Sequence, residues 1–370
     1  MLSISQVQGS DIFNSIFQII YLGSFLFFMV YGQKVQTWIM LREIEGAVIR
    51  LRRFKDAARL VAIDVVKEAN EGKIEPAPRI DHFLEYFMIL PSSLDPAGVV
   101  PKIEHIVNVR DQRFKDEVKI LAPSISGIQV NNIEGVLEVA LGLNTIYRIV
   151  NHYYLLGKKT MSLYVIMQIQ MQLPLIVQLA EAYSAAVNAF AEGQPIGDGA
   201  GALVAAKMMY GHEIREIAKE TVVAEVPFEG RTLHIIKSEG AGSTVGKPGE
   251  AIRKVIEEKA GKVAMVIMID AAGKLEGEKS GDTSEGTGAA IGGIGIDQFT
   301  IEEISSKYKI PVHAVIIKES VRDAVAPMSK EISEGTEIAV AKVKRIIAEK
   351  SHEGDTIIIA GIGNTVGIGQ

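Results

Sequence analysis

Residues 263–273 read VAMVIMIDAAG: seven apolar residues in a row, then an aspartate, two alanines and a glycine. An unbroken apolar run of that length, closed by turn-forming residues, is the pattern of a strand buried on both faces. Residues 356–361, TIIIAG, repeat it. Further β-branched runs at Thr221–Pro227, Thr232–Ile236 and Val312–Lys318 alternate with helical periodicity at 200–219, 248–260, 300–308, 320–333 and 336–350. That alternation predicts an α/β sandwich around a mostly parallel sheet.

In such sheets ligands collect beyond the carboxyl ends of the strands. Three glycine-rich segments fall there: PIGDGAGALVAAKMM with Asp198, MVIMIDAAGKLEGEKSGDTSEGTGAAIGG with Asp270, and IIIAGIGNTVGIGQ. Singly, each aspartate reads as a helix cap or a turn residue. Together, Asp198 and Asp270 are the candidate catalytic pair, since converging carboxylates can share a proton, polarise a water or hold a divalent metal. Glu276 joins them as a candidate metal ligand, and Asp282 stands in reserve. Gly197, Gly199, Gly363 and Asn364 are candidate substrate-binding positions. Residues 274–298, with seven glycines, are the expected moving part. The run Gly361-Ile-Gly363 lacks the third glycine and following helix of a dinucleotide fingerprint, having Val366 instead.

Upstream the chain changes character: 25 of its 35 glycines lie at or after Gly193. Before that point 80–90, 100–121, 131–156 and 160–191 carry i, i+3, i+4 apolar spacing, and His82, His105 and His152 never pair at metal-binding intervals. From Ile12 to Gln33 there are 22 residues without a charge, enough to cross the ~30 Å core of a bilayer at 1.5 Å per residue. No basic residue precedes them, while Lys34, Arg42, Arg50, Arg52, Arg53, Lys55 and Arg59 follow, against Glu43, Glu45 and Asp56. The expectation is a single-pass protein of the cell membrane, touching lipid through residues 12–33, with its N-terminus outside and the rest cytoplasmic. Residues 34–70 continue as an amphipathic stalk whose apolar stripe needs cover, from the middle region or from a second copy in a homo-oligomer. Residues 161–180 are uncharged as well, but Gln168, Gln170, Gln172, Gln178 and Pro174 favour a bundle helix over a second span.

The whole 370-residue composition agrees. It is 48% apolar and 23% charged, which excludes wholesale disorder, and mean hydropathy is +0.20. A net charge of −6 argues against a nucleic-acid partner. The absence of cysteine removes disulfides, thiolate metal sites and thiol nucleophiles.

Asp198 in GDGAGALVA and Asp270 in VIMIDAAGKL resemble the two acidic motifs of the germination-protease and hydrogenase-maturation-protease superfamily. The resemblance covers roughly 190–370. In that group G-x-G-N precedes D-x-L-G-P, and a second aspartate ends a later strand. Here Gly361-Ile-Gly363-Asn364 comes last, so the resemblance implies a circular permutation that returns residues 356–360 beside Gly197–Gly201. Ala200-Gly201-Ala202 stands where the pattern has Leu-Gly-Pro, and no histidine accompanies the acids. Over its whole length the chain is similar to an uncharacterised archaeal membrane-protein family, a domain of unknown function, through KILAPSISGIQVNNIEG, YRIVNHYYLLGKKT, AFAEGQPIGDGAG and DAAGKLEGEKSG.

The expected organisation is α plus α/β. It comprises a tail and transmembrane helix (1–33), a stalk (34–75), a helical domain (76–190) and a phosphorylase- or hydrolase-like α/β domain (191–370). The expected function is a membrane-tethered, peptidase-like hydrolase. A non-catalytic scaffold or ligand-binding module stands beside it, and a nucleotide or phosphate binder using the α/β glycine loops is third.

Overall fold

A computed structural model describes residues 5–88, 96–293 and 295–370. Two compact units are distinguished: Met1–Arg53 with Thr145–Val177, and Phe54–Asn144 with Gln178–Gln370. Three long helices contribute to both: α1 (Ser5–Ala69), α4 (Ile128–Thr160) and α5 (Leu163–Glu192). The shorter α2 (Ala77–Phe83) and α3 (Pro96–Leu121) belong to the second unit.

In the first unit α1 and α4 run antiparallel. Arg52 donates to the Tyr147 hydroxyl at 2.9 Å, and the Tyr154 hydroxyl donates to Glu45 at 2.6 Å. Nearer the turn Gly157 faces Leu41, and it also faces Ile166 on α5, where a methyl group would crowd. Gln170 of α5 donates to Glu43 at 2.6 Å. Leu41, Ile44, Val48 and Leu51 are buried, so the chain itself covers this part of the stalk stripe, whereas Val35 and Ile39 stay exposed. Every described side chain from Phe13 to Met29 is exposed. Among the described residues one helix, α5, is long and apolar enough by itself to cross a membrane. Phe13–Met29 qualifies together with Tyr31–Ala69 as a pair bent by 55°.

The second unit holds a seven-stranded sheet ordered β1-β2-β3-β7-β4-β6-β5. Its strands are β1 (Ile214–Ala218), β2 (Thr221–Phe228), β3 (Arg231–Ser238), β4 (Met265–Gly273), β5 (Thr283–Thr287), β6 (Val312–Glu319) and β7 (Thr356–Gly361). The sheet is mixed, which corrects the expectation of a mostly parallel one. Strands β3, β7, β4 and β6 are parallel, while β1, β2 and β5 pair antiparallel at the edges. Three short strands joined by tight turns account for one edge, and tight turns permit only antiparallel pairing.

Helices α6 (Ala200–Met209) and α10 (Lys330–Lys350) cover one face, and α7 (Pro248–Glu258) and α8 (Ile296–Tyr308) the other. Strand β7 shows why its sequence reads as solid apolar: Ile357 and Ile359 enter one core, Ile358 and Ala360 the other. Two element expectations need correction. The helix expected over 200–219 stops at Met209, because Gly211 adopts φ +81 and β1 begins at Ile214. The break expected between helices 320–333 and 336–350 falls earlier, leaving a short α9 (Val321–Val325) and a long α10, with Ser320 and Ser329 as N-caps.

The last strand lies mid-sheet, between β3 and β4, and its glycine loop packs on the turn Gly197–Gly199 that leads into α6. A methyl on Gly201 would strike the carbonyls of Ile269 and Ile362, and one on Gly361 would strike the carbonyl of Gly201. These glycines let a helix sit on two strand ends at backbone contact.

Candidate functional site

Strands β4, β6 and β7 end side by side, and each delivers something to the same place. From β4 comes Asp270, 8% exposed, its Oδ1 accepting from the Ala271 N–H at 2.8 Å. From β6 comes Glu319, 3% exposed, with Oε2 buried and lacking a hydrogen-bond partner among the described residues. The loop after β7 supplies the Asn364 N–H, which donates to Asp198 Oδ2 at 2.8 Å. Asp198 reaches this point because Gly197 threads between Glu319 and the Asp323 carbonyl, where no side chain fits.

Burial raises the proton affinity of all three carboxyls, and the charge of Asp198 adds to it at the other two. Burial pushes Asp270 up to about 8, and the neighbouring charge of Asp198 adds to it, against the N–H groups of Ala271 and Gly292. Burial also pushes Glu319 up to about 8, aided by the charges of Asp198, Asp323 and Asp270. Part of Asp198 shows at the surface, yet protein surrounds it deeply enough that burial raises its pKa too, with the Asn364 N–H opposing. Both shifts favour the protonated form of Asp270 and Glu319 at neutral pH. Both aspartates accept a backbone N–H, Asp270 from Ala271 and Asp198 from Asn364.

Asp198 and Asp270 open onto a cleft of about 650 Å³, lined also by Gly363, Lys247, Arg110 and Asp297. The first turns of α7 and α8 form one wall, tied together by the Gly249 N–H donating to Asp297 Oδ1 at 2.9 Å. Arg110 bonds to Glu138 and Asp111.

Of the residues singled out from sequence, Asp198, Asp270, Gly363 and Asn364 meet at this strand-end site. Gly197 and Gly199 are buried beside it and serve close backbone approach: Asn364 and Ile368 fill the space over Gly199. Glu276 is exposed on the 274–282 connection and does not join them. Among the described residues no three His, Cys, Asp or Glu side chains are grouped to hold a metal ion. That connection is pinned rather than loose. Lys274 N–H donates to the Glu319 carbonyl at 2.8 Å, and Ser280 donates to Asp323 at 2.7 Å. Lys318 pairs with Glu278, holding its carboxyl below the usual range with help from the Leu275 N–H. Glu319 is absent from the sequence-derived set. Its signal was available, since it ends β6 as Asp270 nears the end of parallel β4, but the strand reads as finishing at Lys318.

Fold and site together define a three-layer α/β protein with strand-end carboxyls, preceded by a long-helix region. Two models of one family match the chain. Residues 18–193 match the protein of unknown function (DUF1512) N-terminal domain, and residues 196–369 the domain of unknown function (DUF1512) C-terminal. The chain belongs to this DUF1512 family. No curated protein and no solved structure matches it.

Proposed function

We propose that this chain is a membrane-anchored, peptidase-like hydrolase working through Asp198 and Asp270. The carrying observation is the convergence of Asp198 and Asp270 on one cleft, where the charge of Asp198 adds to burial in raising Asp270 to about 8. Two neighbouring carboxyls that do not ionise together share a proton, so that one acts as base and the other as acid. Asp198 takes a proton from the attacking water, and Asp270 gives one to the leaving group. Glu319, adjacent but outside the cleft lining, is a third, protonated carboxyl beside the pair. Residues 12–33 anchor the chain, with the N-terminus outside and the bulk cytoplasmic. The exposed apolar side chains of Phe13–Met29 support the anchor, and the basic residues that follow it support the orientation.

The test is hydrolysis of a peptide panel by the full chain in detergent. Asp198→Asn and Asp270→Asn each lower turnover by at least about 100-fold, with circular dichroism unchanged. A wild type without turnover, or variants as active as wild type, refutes the reading. A ligand-binding module without turnover is favoured by one contact, since Asp198 also fixes the 361–370 loop through Asn364. In that case Asp198→Asn lowers melting temperature and nothing else.

A further inference from the structure

The first compact unit has a second apolar-and-basic feature besides α1. At the α4–α5 turn Met161 and Tyr164 are exposed, Tyr164 by 71%, and Lys158 and Lys159 sit beside them. On α1 Trp38 is 58% exposed with the Arg42 guanidinium 5.5 Å from its ring centroid, and Lys34 lies 5.8 Å from the ring of Tyr31.

The antiparallel register brings these features to one level. Arg52 meets Tyr147, Glu45 meets Tyr154 and Leu41 meets Gly157. Continued to the turn, that register sets Met161 level with Trp38, five residues beyond Gln33. At 1.5 Å per residue the turn stands roughly 7 Å from the end of the apolar stretch. The polar layer on each side of a bilayer is about 5–8 Å thick. Aromatic rings and lysines at that height are the residues that layer attracts. Helix α5 then leads away: with Gln170 beside Glu43, Leu175 stands roughly 20 Å beyond the apolar stretch. The 55° bend inclines the stalk and reduces these heights without reversing their order.

We infer that the α4–α5 turn, through Tyr164, Met161, Lys158 and Lys159, is a second membrane contact seated in the headgroup layer of an anionic bilayer, and that α5 does not cross. This rests on the reading of residues 12–33 as the span. The positive charge at the turn selects anionic lipid over a second copy of the chain. A lysine near an anionic surface contributes about fivefold in affinity.

The chain has no cysteine, so single-cysteine variants carry one environment-sensitive fluorophore each. Phe17→Cys, Tyr164→Cys and Leu175→Cys are reconstituted in phosphatidylcholine vesicles with and without phosphatidylglycerol. The lipids bear spin labels either near the headgroup or near the chain end. All three side chains are exposed, so the fold tolerates labelling. The expected result is that the deep label quenches position 17, the shallow label alone quenches 164 and more strongly with phosphatidylglycerol, and neither quenches 175. Lys159→Glu reduces the phosphatidylglycerol dependence at 164. If 17 is quenched but 164 is not, the inference falls and the span stands. Position 164 shielded from water yet unquenched means a second copy covers it, which also overturns the inference. Deep quenching at 175 means α5 crosses, and again the inference fails. If 17 is unquenched, the span itself falls and the inference with it.

Discussion

Asp270 and Glu319 lie where strands buried on both faces run out, and that position gives them their protons. Both have pKa values raised from ordinary carboxylate values, 3.8 and 4.5, to about 8. The folded chain therefore binds protons that the unfolded chain releases across that interval. Their contribution is fully present below the unfolded values and is lost as pH rises through about 8. Thermal melts of the full chain in detergent should show stability falling from pH 5 to pH 8, by about 1.4 kcal/mol per pH unit for each proton retained. Asp270→Asn should flatten the slope by about one proton; an unchanged slope would place the titrating groups elsewhere. The charge on Asp198 is the second cause of the rise at Asp270, after burial. Asp198→Asn should thus lower the Asp270 pKa without normalising it, as carboxyl carbon shifts across a pH titration would report.

Between elements the decisive contact is α6 against the ends of β4 and β7. Gly201→Ala pushes a methyl into two carbonyl oxygens, neither at the end of a flexible side chain. It should destabilise by about 1–3 kcal/mol, the usual range for overpacking. Gly273→Ala, with nothing within 4 Å, should stay within about 0.5 kcal/mol. Equal melting temperatures for the two variants would remove the close-packing account. The elements differ in legibility for related reasons. Strands β2, β3, β4, β6 and β7 carry core side chains on both faces and are readable as apolar runs. Strand β5, TSEGT, is an exposed polar edge that alternates nothing, and β1 hides in helix-like composition until Gly211 breaks it. Asp198 and Asp270 are legible because each adjoins a glycine loop at an element end. Their meeting depends on β7 entering between β3 and β4, a long-range pairing that no local pattern encodes.

Across the whole molecule, burial separates the side chains that hold the chain together from those proposed to anchor it. The stalk from Leu41 to Val66 places Ile44, Leu51, Ala62 and Val66 at no more than 1% exposure, so the chain supplies its own cover there and that stretch makes no demand for a second copy. Side chains at 13–29 contribute to no core: Phe13, Phe17, Ile19 and Phe28 are 64–71% exposed. Apolar surface of that extent is unfavourable in water and is relieved in lipid, where no packing partner is needed. A chain beginning at Lys34 loses this surface and no buried side chain among those described. It should move from the membrane pellet to the supernatant on fractionation. Its melting temperature should stay within about 2 °C of the full chain's in the same detergent, since less than about 0.5 kcal/mol is at stake. A truncated chain that still pellets would mean that other surfaces, the α4–α5 turn first among them, suffice for attachment. One that aggregates or melts far lower would mean that residues 1–33 pack against protein, and the anchor reading would have to yield to an oligomer built through α1.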